Sequence, residues 1–253
     1  MAIIWQQTIG DDRYEVRTAG ASIRLYSNGV FHSQYNPERE ISNSIWDLLI
    51  LPTFFYPVGH VKRILILGVG GGAAIKLLHS YAIPEKIVGV ELNPTHLKVA
   101  RRFFRITNKQ AELVCDDAVN WLKNYSGPGF DLIIDDLFGH KDGETLRAVK
   151  LDSTWLTLLN KNLTKQGLLV TNTAELSDFK NSGFMTNKRI RHAFKSTYKL
   201  THPTCENRVY VFCKKEESLK VLKQNISQIP QTLARNSMLK LALRMRKFQI
   251  GSQ

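Results

Sequence analysis

Apolar positions run in three different rhythms along the chain. In the first stretch SIRLY and VFHSQY alternate apolar with polar residues on either side of Ser27-Asn28-Gly29. Asn-Gly between alternating segments is a strong hairpin signal, because both turn residues tolerate positive φ. The pattern predicts a small β-hairpin unit over about 10–36, bridged by an apolar helix near 40–55.

From Lys62 short apolar runs alternate with helix-like segments. RILIL, KIVGVE, AELVC, FDLIID and GLLVTN read as five buried strands. Helices are predicted near 72–81, 94–104, 117–124 and 152–163, with Asn93-Pro94 and Asp152 or Ser153 as start signals. Strands alternating with helices imply right-handed crossovers and a largely parallel sheet. A further helix near 185–197 precedes YKLTHP and RVYVFCKK, which read as an antiparallel pair at the sheet edge.

In the tail, Leu233 to Phe248, the residues Met238, Leu241, Ala242, Met245 and Phe248 recur at helical spacing, with Lys240, Arg244 and Lys247 toward another face. The expected units are 1–55 (hairpin unit and bridging helix), 56–215 (α/β domain) and 216–253 (basic amphipathic tail).

Composition adds little to the fold and more to its surroundings. The 253 residues are 43% hydrophobic, enough for a full core. Cys115, Cys205 and Cys213 are odd in number and lack CxxC spacing, as in core thiols of a reducing compartment. The first residues carry no basic leader, and no apolar run reaches the roughly 20 residues of a membrane span. The expectation is a cytoplasmic protein with no membrane span. Net charge is +13, and seven of those charges come from Lys220, Lys223, Arg235, Lys240, Arg244, Arg246 and Lys247, beyond the last acid, Glu217.

Docking of the tail on its own domain or on a second subunit is the favoured expectation. An anionic membrane surface or nucleic acid is the alternative partner. Arg101, Arg102, Arg105 and Lys109, and then Lys188, Arg189, Arg191, Lys195 and Lys199, form further basic clusters.

The candidate chemistry begins at ILILGVGGGAA, Ile64 to Ala74. A glycine turn at a strand's carboxyl end lets backbone N–H groups approach a ligand, beside the positive end of the next helix. Gly68, Gly70, Gly71 and Gly72 fit that role, and Glu91, ending the second strand, fits an acceptor for both hydroxyls of an adenosine ribose. Gly68, Gly70 and Ala73 also satisfy a relaxed G-x-G-x-x-A dinucleotide fingerprint, so an NAD enzyme is an alternative. Two features favour S-adenosylmethionine. Asp117 in CDDAVNWL is placed to accept from an adenine amino group, and the sheet closes with an apparent hairpin.

From SIRLYSNGVFHSQYNPE through RILILGVGGGAAIKLL, IVGVELNPTHLKVARRFF, AELVCDDAVNWL and FDLIIDDLFG to GLLVTN, the sequence resembles the spermidine synthase-like branch of class I S-adenosylmethionine-dependent transferases. The resemblance implies an α/β fold, with a Rossmann-like seven-stranded sheet, mostly parallel with an antiparallel C-terminal hairpin, and a small N-terminal β-hairpin unit. It extends the cofactor-contact set to Gln34, Leu92, Asp116, Ala118 and Asp135. It also implies hairpin-mediated dimer contacts.

Two departures set the expected activity. The glycine turn of the polyamine synthases reads GGGDGG, with an acid near the aminopropyl end of decarboxylated S-adenosylmethionine; here Gly71 stands in its place. An acid there would repel the carboxylate of ordinary S-adenosylmethionine, so its absence favours that cofactor. Where those synthases carry DSSDP, this chain reads Asp136-Leu137-Phe138-Gly139-His140, and their Tyr-His-Glu segment has no clear counterpart in REISNSIWD.

The expected function is therefore methyl transfer from S-adenosylmethionine to an N or O nucleophile of an unidentified small or macromolecular acceptor. Its mechanism is in-line attack on the sulfonium methyl, which asks mainly for alignment. Asp136 and Asp135 are the candidate catalytic pair, as orienter or base. A divergent aminopropyltransferase and a non-catalytic cofactor-fold binding module are the alternatives. Asn172 is weighed as an acceptor-side residue against a turn former, His60 and His140 are isolated, and no spacing resembles a metal site or a GxSxG nucleophile turn.

Overall fold

The computed structural model describes residues 1–39, 41–141 and 144–248; side chains at 140–145, including His140, lie outside the described set. The chain opens with a four-stranded antiparallel meander, β1 (Ala2–Ile9), β2 (Asp12–Ala19), β3 (Ser22–Ser27) and β4 (Val30–Tyr35), paired in chain order. The Asn28-Gly29 turn sits between β3 and β4, with both residues at positive φ. Sequence periodicity predicted only this hairpin region. β1 was missed because it is exposed almost throughout, leaving no buried face to impose alternation.

The bridging segment is shorter than expected: α1 (Ile45–Ile50) passes into a 3₁₀ turn, Leu51–Phe55, where Pro52 ends the α-helical ladder. The central layer follows, with β5 (Arg63–Leu67), α2 (Ala73–Tyr81), β6 (Lys86–Glu91), α3 (Pro94–Arg102), β7 (Glu112–Cys115), α4 (Ala118–Asn124) and β8 (Phe130–Asp135). A small hairpin comes next, β9 (Phe138–Lys141) and β10 (Glu144–Arg147), then α5 (Ser153–Asn162) and β11 (Leu163–Thr173).

Three short helices, α6 (Leu176–Lys180), α7 (Gly183–Thr186) and α8 (Lys188–Ala193), lead to β12 (Ser196–His202) and β13 (Cys205–Cys213). The helix expected to reach 197 stops at Ala193 because Ser196 already pairs with Cys213. The tail forms α9 (Leu219–Ile226), α10 (Thr232–Ala242) and a two-residue strand β14 (Arg246–Lys247).

The central sheet has eight strands in the order β14-β12-β13-β11-β8-β5-β6-β7, parallel from β11 to β7 and antiparallel beyond. It is the expected α/β architecture with one strand more than the seven foreseen. The extra strand comes from the tail, which was expected to be helical to Phe248. Instead Tyr198 and Lys199 of β12 pair with Lys247 and Arg246, so an open sheet edge outcompetes the last helical turn.

Both faces of the sheet are covered, which is why its strands are continuously apolar. Ile64, Ile66, Leu132 and Ile134 point to one core, shared with α1, α2, α9 and α10; Leu65, Leu67, Val88 and Ile133 point to the other, shared with α4 and α5. Met238 and Met245 of the tail are fully buried in the first core. Among the described residues, no helix is long and apolar enough to cross a membrane, and no cluster of His, Cys, Asp or Glu could hold a metal ion.

Candidate active site

Along the carboxyl ends of the parallel strands lies a cleft of about 540 Å³. This is where ligands bind in open α/β sheets, and the volume suits a small molecule. The glycine turn forms its floor. Gly68 has φ +87°, and a Cβ there would meet the Asp136 carbonyl oxygen at 2.3 Å. Only glycine lets β5 leave the sheet this close to the end of β8.

Gly71 faces elsewhere. A Cβ on it would meet the Phe104 ring at 2.5 Å, and the residue does not line the cleft. The absence of an acid at this position makes room for Phe104 and says nothing about charge on a bound ligand. Four of the turn's backbone donors are engaged within the protein. Val69 and Gly70 each donate a backbone N–H to Glu91 Oε2 at 2.9 Å, while the N–H groups of Gly68 and Gly72 go to the carbonyls of Val90 and Val69.

Glu91 is 9% exposed. Its Oε1 accepts from the Asn93 N–H at 3.0 Å and lies 3.7 Å from His96 Nδ1. Burial alone would raise its pKa, but His96 and the surrounding N–H groups outweigh it and hold the carboxyl below its ordinary value. His96 in turn shares a 2.8 Å hydrogen bond with Ser27 at the end of β3, and Asn93 donates to the Tyr14 hydroxyl at 2.8 Å. The N-terminal sheet is thus pinned to the residues around Glu91. His96 had no distinguishing signal in the sequence; only the fold brings Ser27 to it.

The two strand-end acids part company. Asp135 is fully buried outside the cleft; its Oδ2 accepts from Arg147 at 2.7 Å and from the Trp155 indole at 3.0 Å. The Arg147 side chain is itself only 2% exposed and also donates to the Asn172 and Val149 carbonyls. Asp135 anchors the β9–β10 hairpin to the sheet, and the expectation that it shares catalysis with its neighbour is corrected accordingly.

Asp136 does line the cleft and accepts from Asn172 Nδ2 at 2.8 Å. Burial pushes its pKa up to about 6, with the Asn172 bond opposing and the nearby Asp135 adding to the rise. Asn172 lies within β11 rather than in a turn, and its Oδ1 accepts from Asn207 at 3.1 Å.

Of the remaining expected residues, Gly68, Gly70, Leu92, Asp117 and Ala118 line the cleft. Asp117 caps α4 through Oδ1, accepting the Asn120 N–H at 2.8 Å. Gln34, Gly72 and Asp116 stand off it; Gln34 is bound by Arg24 at 2.7 Å, and Asp116 accepts the Asp117 N–H at 2.7 Å. The opposite wall went unforeseen: Trp46 and Ile45 from α1, Phe138 from β9, Thr204 from the β12–β13 turn, and Cys205, Glu206 and Asn207 from the start of β13.

The described lining holds Glu91, Asp117, Asp136 and Glu206 and no lysine or arginine, in a chain of net charge +13. A second cavity, about 580 Å³, shares no lining residue with this cleft.

A doubly covered parallel sheet with a glycine turn and a strand-end acid at the carboxyl ends of its strands defines an α/β protein of the Rossmann-like class. Within that class, residues 47–225 match the spermine/spermidine synthase domain, well over half of the chain, and the chain belongs to that family. Polyamine aminopropyltransferase 2 of Caldanaerobacter subterraneus is 29% identical over 128 residues, 49% of this chain and 42% of that protein. The polyamine aminopropyltransferase of Mycobacterium tuberculosis is 31% identical over 166 residues, 61% of this chain and 29% of that protein. The chain thus spans less than half the length of these two relatives. A probable spermidine synthase from Corynebacterium glutamicum has the same fold, with a TM-score of 0.71 at 14% identity over 100% of this chain and 99% of that one.

These matches overturn the expectation of methyl transfer and of S-adenosylmethionine as its cofactor, since the family and its relatives are those of polyamine aminopropyl transfer. In the structure, Gly71 packs against Phe104, the N–H groups of Val69 and Gly70 are taken by Glu91, and the described cleft lining carries no lysine or arginine. The dinucleotide alternative falls with the same match.

Proposed function

We propose that the chain transfers an aminopropyl group from decarboxylated S-adenosylmethionine to the amine of a polyamine acceptor. The observation that carries this reading is that, among the described residues, the cleft of this strongly basic protein is lined by four carboxylates and no lysine or arginine. Both substrates are cations without a carboxylate, and such a cleft stabilises cations while the remaining surface repels them.

In this reading Glu91 holds the ribose. Its Oε1 carries one short hydrogen bond and the longer His96 contact, so it keeps lone-pair capacity for a hydroxyl. Asp117 faces the adenine end. The acceptor nitrogen attacks the methylene next to the sulfonium, forming a C–N bond as the C–S bond breaks; its electrons return to sulfur and methylthioadenosine leaves. The proton shed by the nitrogen passes to Asp136, which Asn172 holds in place. With a pKa of about 6, Asp136 is largely a carboxylate at neutral pH and able to take that proton.

The test is to incubate the purified chain with decarboxylated S-adenosylmethionine and either putrescine or spermidine, following methylthioadenosine and the aminopropylated product by mass spectrometry. Both products are expected, with no S-adenosylhomocysteine when ordinary S-adenosylmethionine is supplied. Failure to form methylthioadenosine with either acceptor overturns the reading.

A further inference from the structure

The second cavity, of about 580 Å³, lies at the opposite end of the sheet from the cleft. Tyr56 in its wall donates to the Gln166 carbonyl near the start of β11, whereas the cleft is reached only where that strand arrives at Asn172. Phe55, Leu219 and Val221 give the cavity an apolar side.

Charge in this lining is divided unevenly. Lys247 and Glu216 pair with each other, and Lys215 is exposed, so water screens its field. Glu217 is only 8% exposed. Its backbone is held from both sides: the N–H donates to Ser196 Oγ at 3.1 Å, and the carbonyl accepts from the Tyr198 hydroxyl. Its side chain is not. Glu217 Oε1 is buried with no hydrogen-bond partner among the described residues.

The groups around that carboxyl are engaged elsewhere. The Tyr56 hydroxyl gives its single proton to Gln166 at 2.6 Å, and α9 is capped by Ser218 Oγ rather than by Glu217. Burial pushes the pKa of Glu217 up, with Tyr56 and Lys215 opposing. A buried carboxylate without a partner is costly, and a ligand that brings a cation to it recovers much of that cost. An ammonium group does so with three N–H donors, while its methylenes cover the apolar side. A hard inorganic cation asks for several oxygen ligands, which this wall of rings and aliphatic side chains does not supply.

We propose that this cavity is a second ligand site, for an alkylammonium ion of the polyamine class, with its ammonium on Glu217 and its methylenes along Phe55, Leu219 and Val221. The polyamine class rests on the aminopropyltransferase reading above; the ammonium chemistry rests on the cavity alone.

The experiment is equilibrium dialysis of the full chain with labelled spermidine, in the wild type, in Glu217→Gln and in Val221→Trp, with folding checked by circular dichroism. Glutamine keeps the shape and the backbone bonds of Glu217 and removes the charge. Val221 is 40% exposed, so an indole there fills the cavity without entering the core. The wild type should bind one equivalent in the cleft and one in the cavity. Each variant should weaken the second at least about tenfold, with methylthioadenosine formation within about twofold of the wild type. Equal binding by all three proteins overturns the site, as does displacement of the second equivalent by potassium at the same concentration as spermidine. A wild type that forms no methylthioadenosine, yet binds spermidine in a way that Glu217→Gln abolishes, overturns the activity reading and leaves the ammonium site standing.

Discussion

The two halves of the cleft, which the proposed function assigns to the nucleoside and to the acceptor, are built by opposite means. On the nucleoside side, Gly68 to Gly70, Glu91 and Asp117 each sit at the end of a parallel strand, and backbone groups do much of the work. On the acceptor side, the wall is gathered from α1, β9, β11 and the β12–β13 hairpin, and its polar contacts are made by side chains such as Asn172 and Asn207. A strand end can be recognised locally, but a wall made of four distant segments exists only after folding.

The sharpest way to break this comparison is at the boundary, Asp136. Asp136→Asn should lower kcat by about 10²- to 10⁴-fold with the fold intact, read as methylthioadenosine formation. Its pH dependence has a definite sign. The base acts deprotonated and its pKa is raised to about 6, so kcat/KM should rise with pH through that value and level off above it. A profile that is flat between pH 5 and about 7 removes Asp136 from the base role.

Arg147→Met tests whether the neighbouring acid is structural. Removing the guanidinium strands a fully buried Asp135, at a cost of about 3–5 kcal/mol in denaturant unfolding, and adding Asp135→Asn should restore much of it. Equal stability of the single and double variants would show that the pair does not anchor the hairpin.

At Gly71 the expectation is one of packing. Gly71→Asp must displace the Phe104 ring and should cost about 1–3 kcal/mol, with no gain in affinity for decarboxylated S-adenosylmethionine. Tighter binding without a stability loss would return this position to the cleft. The smallest effect is expected at His96. His96→Ala should raise KM for the sulfonium substrate by about threefold to tenfold, as one hydrogen-bonded support of Glu91 is lost, and leave the acceptor KM unchanged.

The same contrast explains what the sequence disclosed. Strands β5, β6 and β8 announced themselves because they are buried on both faces, and α3 and α5 because Asn93 and Asp152 cap them. Glu91 and Asp136 were legible as acids at predicted strand ends. Asp135 looked equivalent to Asp136, since the sequence cannot show that Arg147 and Trp155 would enclose one and not the other. Gly71 was read as a missing charge because its neighbour Phe104 lies 33 residues away in the chain. β14 was hidden for a related reason: its two residues carry no strand pattern, and only the free edge of β12 recruits them.

The Ser27–His96 hydrogen bond carries the last consequence. The segment matching the family begins at residue 47, yet Val30, Phe31 and His32 line the cleft, and Ser27 grips the histidine beside Glu91. The working site is therefore larger than the segment by which its family is recognised. In the proposed function, coupling between sites is reciprocal, so any strengthening of the Glu91–His96 contact by a bound nucleoside returns as tighter docking of the N-terminal sheet. A version trimmed to the matching segment would keep every glycine of the turn and forfeit that exchange.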